Sequence, residues 1–340
     1  MVDVGIVGVT GYTGQELIRI LLNHPEVRIS GLFSKSSYNK SIQSVFPEFA
    51  SRLDLVCVKP DIKDICAKCD LVFLALPHTV SMKLVPSLLY AGKKVIDLSA
   101  AYRLKDVKDY AKFYEVKHKD ISGLKEAVYG LPELYRNEIK AARLVANPGC
   151  YPTAAILSLA PLVAFNIADF SSIIIDAKSG VSGAGKKMVE AFLFSEVNED
   201  FRAYKVGVHQ HTPEINQELS KLGGKKINVV FVPHLLPLNR GILETIYVKK
   251  DKKGRGRGKD LIELYKKFYK KEPFVRIRAE GQLPKIKDVV GTNFCDIGIK
   301  EDGDNVIVIS AIDNLLKGAS GQAVQNMNIM YGFREYTGLL

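Results

Sequence analysis

The amino-acid sequence predicts an α/β protein of two domains, a parallel-sheet domain first and an α+β domain with a mixed or antiparallel sheet second. Three observations predict it. Short apolar runs alternate with helix-patterned segments through the first 149 residues, the pattern of βαβ units. A glycine loop, Gly8-Val9-Thr10-Gly11-Tyr12-Thr13-Gly14, joins the first apolar run to the first helical one. After Cys150 the apolar runs lengthen, and "TNFCDIGIKEDGDNVIVISAID" reads as a hairpin about an Asp-Gly turn. The expected boundaries are 1–149 and 150–315, with a last helical stretch, 316–340, packing back on the first domain.

The elements follow in order. "VDVGIVGV" is a buried strand, and "GQELIRILLNH" carries apolar residues at helical spacing. "VRISGLF", "DLVFLALP" and "KKVIDLSA" are further short strands, each ending in turn residues. Beyond Cys150, "SSIIIDAKSG", "KINVVFVPHLLPL" and "GILETIYVKK" are longer strand patterns, and "LLKGASGQAVQNMNIMYG" is helical.

The glycine loop sits between strand and helix, where backbone N–H groups can approach a pyrophosphate lying on the positive helix terminus. This context favours a Rossmann-like nucleotide site over a merely tight turn. An NAD site would place an acid near the end of the second strand to hold the ribose 2′-OH. That strand ends "GLFSKSSYNK", with Ser34, Lys35, Ser36 and Ser37 and no acid. A lysine among hydroxyls suits a 2′-phosphate, so NADP(H) is the expected cofactor.

Cys150 lies in "NPGCYPT" at the mouth of an apolar helix, with Pro152 fitting its first turn. A thiol there meets unpaired N–H groups and a positive dipole, which favour the thiolate. Cys57 and Cys295 fall within apolar strand patterns and are expected to be inert; the lone Cys66–Cys69 pair precedes a strand and is expected to be structural. Proton exchange would come from "VGVHQHTPEINQEL", in which His209 and His211 share a face if the segment is extended. Thr212 then reads as an N-cap, Pro213 as the first helical residue and Glu214 as a first-turn acid. HxH with one acid is poor metal spacing, so no metal is expected. His78 would line the cofactor cleft or cap a helix, His234 would be structural or at the cleft rim, and His24 and His118 would be surface residues. "DLSAAYRL" places Ser99 and Arg103 at a strand end, where open α/β sheets bind ligands. "KSGVSGAGKK" offers a Gly/Ser loop for a phosphate, or a plain connector.

The net charge is +11, and the segment from Lys249 to Lys259 holds seven basic residues and one acid. A solvated loop is the expected reading, since no aromatic interleaving accompanies it to suggest nucleic acid. No apolar stretch approaches the roughly 20 residues that cross a bilayer. The N-terminus carries no signal-peptide pattern, so a soluble cytoplasmic protein is expected.

GVTGYTG, LPELYR, NPGCYPT, KSGVSGAG, HQHTPEI, PHLLPLNRGI and DNLLKGASGQA, in this order, resemble the N-acetyl-gamma-glutamyl-phosphate reductase family over nearly the whole chain. The aspartate-semialdehyde dehydrogenases share the general plan but match these motifs less well. The resemblance implies NADPH-dependent reduction of an acyl phosphate to a semialdehyde in arginine biosynthesis, with phosphate released. It implies Cys150 as the nucleophile that forms a thioester, His209 as the acid/base, and His211 and Glu214 beside it. The cofactor residues it implies are Thr10, Gly11, Tyr12, Thr13, Gly14, Ser34, Lys35, Ser36, Pro77, Ser99, Ser182, Gly183, Asn314 and Lys317. Arg103, Asn147 and Ser179 are the expected substrate residues, and a homo-oligomer, dimer or tetramer, is the expected assembly. Two positions depart from the family pattern: Ala101 stands where an acid is frequent, and Gln210 stands where an arginine is typical. A related branch reduces an aminoadipate derivative carried on a small acidic protein, a partner that the basic loop would suit. A reading of another class is a nucleotide-sensing or nucleic-acid-binding regulator, which the net charge permits.

Overall fold

The computed structural model describes residues 1–186, 189–251 and 260–340. Most of the basic segment from Lys249 to Lys259 therefore lies outside the described residues. The chain divides into two compact units, Met1–Pro148 with Ala319–Leu340, and Gly149–Gly318.

The first unit is built on β1 (Val2–Val7), β2 (Val27–Phe33), β3 (Leu71–Leu74), β4 (Lys94–Asp97), β5 (Val128–Tyr129) and β6 (Leu144–Ala146). All pair in parallel, in the order β2-β1-β3-β4-β6-β5. Every residue of β3 and β6 is buried, as expected where a parallel sheet is covered on both faces. The order reverses at β1, so a crevice is expected at the carboxyl ends of β1 and β3. The helix Gly321–Tyr331 belongs to this unit, and ten of its residues are buried, several of them amides. They are tolerable because they are bonded. Gln322 and Asn326 donate to the Gly130 carbonyl, and Asn328 donates to the carbonyls of Glu335 and Thr337.

The second unit carries β7 (Ala168–Gly180), β8 (Arg202–Ala203), β9 (Val230–Leu236), β10 (Ile242–Lys250), β11 (Val275–Ile277), β12 (Cys295–Asp302) and β13 (Asn305–Ile312). The sheet is mixed, in the order β11-β12-β13-β10-β7-β9-β8. β12 and β13 form the antiparallel hairpin expected about Asp302 and Gly303, with Gly303 at φ +55°. The helix Cys150–Ala164 is buried almost all round and packs on β10 and β13, as a helix apolar on every side must be. Pro161 within it has no N–H to give the Leu157 carbonyl. The Tyr269 hydroxyl donates to that carbonyl instead, at 2.5 Å, and Tyr265 donates to the Ser158 carbonyl at 2.6 Å.

On β10 the residues Ile242, Glu244, Ile246 and Val248 are the buried ones. Glu244 is thus a carboxyl in an apolar row, opposite Ala177 and Ser310. Neither carboxyl oxygen has a hydrogen-bond partner among the described residues. Burial raises its pKa well above the ordinary value, and the charge of Lys178 offsets this only in part. No helix among the described residues is long and apolar enough to cross a membrane.

Candidate active site

The glycine loop sits where β1 ends and the helix Tyr12–Leu21 begins, with Gly11 as N-cap. Gly8 has φ +86°, and a Cβ there would overlap the Ala75 carbonyl; at Gly14 a Cβ would overlap the backbone of Val9. Both glycines therefore serve close packing of strand, loop and helix. Beside the loop lies a pocket of about 260 Å³ lined by Gly8, Thr10, Ser34, Lys35, Ser36 and Pro77, with apolar walls from Phe33, Leu76 and Val80. The hydroxyls of Thr10, Ser34 and Ser36 form a triangle with sides of 3.2 to 3.4 Å. Hydroxyls that can reorient, a nearby ammonium and an apolar wall fit a phosphorylated ribose with its base. Tyr12 and Thr13 open the helix, and the Thr13 carbonyl accepts from Ser320.

A second cluster in this unit gathers Asp97, Ser99, Arg103 and Asn147. The Ser99 hydroxyl donates to the Asp97 carboxylate at 2.7 Å. Asp97 is fully buried; desolvation raises its pKa while the Ser99 bonds and Arg103 oppose the rise. Arg103 is buried, and its Nε and Nη2 donate to the carbonyls of Asn147 and Leu98, both at 2.8 Å. Its guanidinium thus ties the residue that follows β4 to the residue that follows β6. The Asn147 amide donates to the Ala319 carbonyl. Ser99, Arg103 and Asn147 are brought together with one another and do not line the glycine-loop pocket.

In the second unit Cys150 is the first residue of its helix, half-buried and in no disulfide, with Gly149 as N-cap. The Gly149 N–H donates to the Glu214 carboxylate at 2.8 Å, and its carbonyl accepts from Thr153. A fully buried carboxylate thereby clamps the residue before the thiol. The Tyr151 ring lies edge-on to His209 and His211, with centroids 5.6 and 5.9 Å away, and Tyr204 donates to the Tyr151 hydroxyl at 3.2 Å. The two imidazoles are 4.9 Å apart. The glycine of the turn Leu316–Ser320 is what admits it beside the thiol: a Cβ on Gly318 would stand 2.8 Å from the Cβ of Cys150. That turn is a π-helix, a form that recurs at functional sites.

His209 is buried, and its Nδ1 accepts the His211 backbone N–H at 3.1 Å. A ring nitrogen that accepts carries no proton, so the neutral ring has its proton on Nε2. Burial, aided by the charge of Lys205, pushes its pKa down to about 4. The ring is a fixed hydrogen-bond donor at neutral pH.

Ser179, Ser182, Gly183 and Asn314 also come together. The Asn314 amide donates to the Ser182 hydroxyl at 3.0 Å and its carbonyl oxygen accepts the Gly241 N–H. A Cβ on Gly183 would lie 3.7 Å from the Ser179 hydroxyl, in ordinary contact. Lys317 is fully buried, with Nζ 5.7 Å from the Phe274 ring centre.

Several expectations need correction. His24 and His118 are buried, not surface residues. His24 bonds Asn328 and His118 bonds the Ala101 carbonyl, so each ring ties separate segments together. The helix after the histidines is His211–Gly223, with Gln210 as N-cap, so Thr212 is not the cap and Pro213 is the third helical residue. The Thr212 N–H bonds the His209 carbonyl, which closes a turn rather than an extended segment. His78 opens the helix His78–Tyr90, its Nδ1 against the Tyr110 hydroxyl, and is not among the pocket residues. Sequence reading passed over Tyr151, Tyr204 and Asp97, although the adjacency of Tyr151 to Cys150 was a usable signal. No group of three or more His, Cys, Asp or Glu among the described residues is placed to hold a metal.

Comparison with known proteins gives this geometry a family. Residues 3–142 match the model of the semialdehyde dehydrogenase NAD binding domain, and 150–314 that of the semialdehyde dehydrogenase dimerisation domain. The chain is 54% identical over 342 residues to an N-acetyl-gamma-glutamyl-phosphate reductase of Citrifermentans bemidjiense, covering 100% of this chain and 98% of the relative. It is 49% identical over 341 residues to a protein of the same name from Alkaliphilus metalliredigens, again covering 100% and 98%. Among solved structures, aspartate semialdehyde dehydrogenase II of Vibrio cholerae complexed with ASA has TM-score 0.73 at 17% identity, covering 98% of each chain. Aspartate semialdehyde dehydrogenase with NADP from Candida albicans has TM-score 0.70 at 18% identity, covering 97% of this chain and 98% of that one. The structural likenesses establish the shared fold; the sequence relatives establish that the chain belongs to the N-acetyl-gamma-glutamyl-phosphate reductase family of semialdehyde dehydrogenases.

Proposed function

We propose that the chain reduces N-acetyl-gamma-glutamyl phosphate to the semialdehyde with NADPH, releasing inorganic phosphate, as a step of arginine biosynthesis. One observation carries the reading. In a chain about half identical to reductases of that name, Cys150 opens a buried helix between Gly149, which the Glu214 carboxylate holds, and Tyr151, whose ring packs against His209 and His211. The Cys150 thiolate attacks the acyl carbon; a C–S bond forms and the C–O bond to phosphate breaks, the phosphate leaving with the electron pair. Bound NADPH supplies the hydride that reduces the thioester. The C–S bond then breaks, returning the thiolate and freeing the aldehyde.

His209 serves this chemistry as a neutral donor, because its Nδ1 is occupied and its basicity is low. The acid/base role expected of His209 passes in this reading to His211, whose ring is 4.9 Å from it, and Glu214 fixes the Gly149 peptide next to the thiol. Thr10, Ser34, Lys35 and Ser36 would hold the 2′-phosphate of NADPH, in keeping with the pocket they line. Ser182, Gly183, Asn314 and Lys317 of the second unit are the further cofactor residues that the family resemblance implies, and Ser179 a substrate residue. Arg103 and Asn147 of the first unit, which are bonded to one another, remain the further substrate residues of this reading. A homo-oligomer, dimer or tetramer, assembled through residues 150–314 is supported by the dimerisation-domain match. A reducing cytoplasm suits five cysteines that form no disulfide.

The test is phosphate-dependent reduction of NADP⁺ with N-acetylglutamate semialdehyde, in the wild type and in Cys150→Ser. The variant is expected to bind NADPH but lose turnover by about a thousandfold or more, a nucleophile-scale effect. Undiminished turnover in Cys150→Ser sinks the thioester mechanism.

A further inference from the structure

A substrate carrying a phosphoryl group and a carboxylate needs cationic partners, yet the loop around the two imidazoles offers little charge. His209 is neutral, and Gln210, between the histidines, is an amide. Two cations of this unit are already paired: Lys178 with Asp176 at 2.6 Å, and Arg240 with Asp313 at 3.4 Å. Lys205 differs. It is exposed, and its Nζ donates to the Gln210 side-chain oxygen at 3.3 Å, a neutral partner. It follows Tyr204, whose ring is 5.5 Å from that of His209. Its charge is felt at the imidazole, since it is one of the two causes that lower the basicity of His209.

The backbone adds an independent observation. Lys205 has φ +48°, and the turn that follows is closed by the Val208 N–H on the Lys205 carbonyl, with Gly207 at φ +77°. Glycine adopts such a φ freely and lysine rarely does, and departures of this kind gather at functional sites. Here the departure brings an ammonium onto the side chain that separates the two histidines.

We propose that Lys205, steadied by Gln210, is an anion-binding residue of the active site, taking the carboxylate or the phosphoryl group of the acyl-phosphate substrate. The inference rests on the reductase reading. It makes this lysine a determinant of substrate affinity, not a participant in bond making.

The reverse reaction separates the two anions, because phosphate and the aldehyde enter as distinct substrates. Lys205→Gly is the informative variant: glycine takes φ +48° without strain, so a loss of binding is not a loss of folding. It is expected to raise the KM of one of the two substrates by about tenfold or more, the scale of a charged hydrogen bond. The kcat is expected to change by less than about threefold, a split that marks lost binding alone. Lys205→Arg is expected to restore the wild-type KM to within about threefold, because it retains the charge. A raised KM for phosphate assigns the phosphoryl group, and a raised KM for the aldehyde assigns the carboxylate. Unchanged KM values for both in Lys205→Gly, or failure of arginine to rescue, overturn the proposal. Absence of phosphate-dependent turnover in the wild type overturns the reductase reading and this inference with it.

Discussion

Acidification destabilises the fold at His209, and replacing the ring removes that sensitivity. The imidazole has an ordinary value of 6.5 and is pushed down to about 4 in the fold, first by burial and second by Lys205. Between these values the unfolded chain binds a proton that the folded chain refuses. Stability at this site is therefore complete above about pH 6.5 and is lost as pH falls toward about 4. A shift of this size corresponds to about 3 kcal/mol at about 1.4 kcal/mol per unit, and the ring, only 6% exposed, needs little discount for solvent. His209→Asn is the perturbation, since an asparagine side-chain oxygen can accept the N–H two residues on, as Nδ1 does now. His24, His78 and His118 are depressed in the same direction by burial, so the wild type alone does not isolate one ring. The difference between wild type and variant does. Urea unfolding of both proteins at several pH values between about 7 and 4 should give a stability difference that moves by about 3 kcal/mol in favour of the variant as pH falls. Parallel curves refute the reasoning.

Three other outcomes follow from particular contacts. Glu244→Gln should stabilise the protein increasingly as pH rises above about 4: the folded pKa is raised, so the carboxyl loses stability toward alkaline pH, by about 1.4 kcal/mol for each pH unit up to its folded value; thermal melts that show the same gain at pH 4 and pH 8 contradict it. Gly318→Ala should lower kcat by about a hundredfold with circular dichroism unchanged, because a methyl 2.8 Å from the Cys150 Cβ must displace the thiol by a fraction of an ångström or more; wild-type kcat in a folded variant argues against a tight thiol position. Tyr269→Phe should cost about 1–3 kcal/mol in urea unfolding with kcat unaltered, since the Leu157 carbonyl freed by Pro161 loses its donor; a change below about 0.5 kcal/mol would mean that the carbonyl finds another partner.

The sequence by itself determined the elements that local pattern encodes. The strand-loop-helix about Gly8 and Gly14, the apolar helix opened by Cys150, and the Asp302–Gly303 hairpin are each written in consecutive residues, because period, turn chemistry and capping act over a few positions. The tightly spaced Cys and His motifs were legible for the same reason. β5 and β6 were not, since strands of two and three residues carry no period. The order of the strands, the burial of His24, His118 and Glu244 and the commitment of Arg103 to the Asn147 carbonyl were decided by tertiary structure alone. Desolvation and hydrogen bonding at these groups are sums over neighbours from distant parts of the chain. His209 shows both levels: its tautomer is set by the His211 N–H two residues on, but its charge state follows from the rings of Tyr151, Tyr204 and Phe231 that fold around it and exclude water.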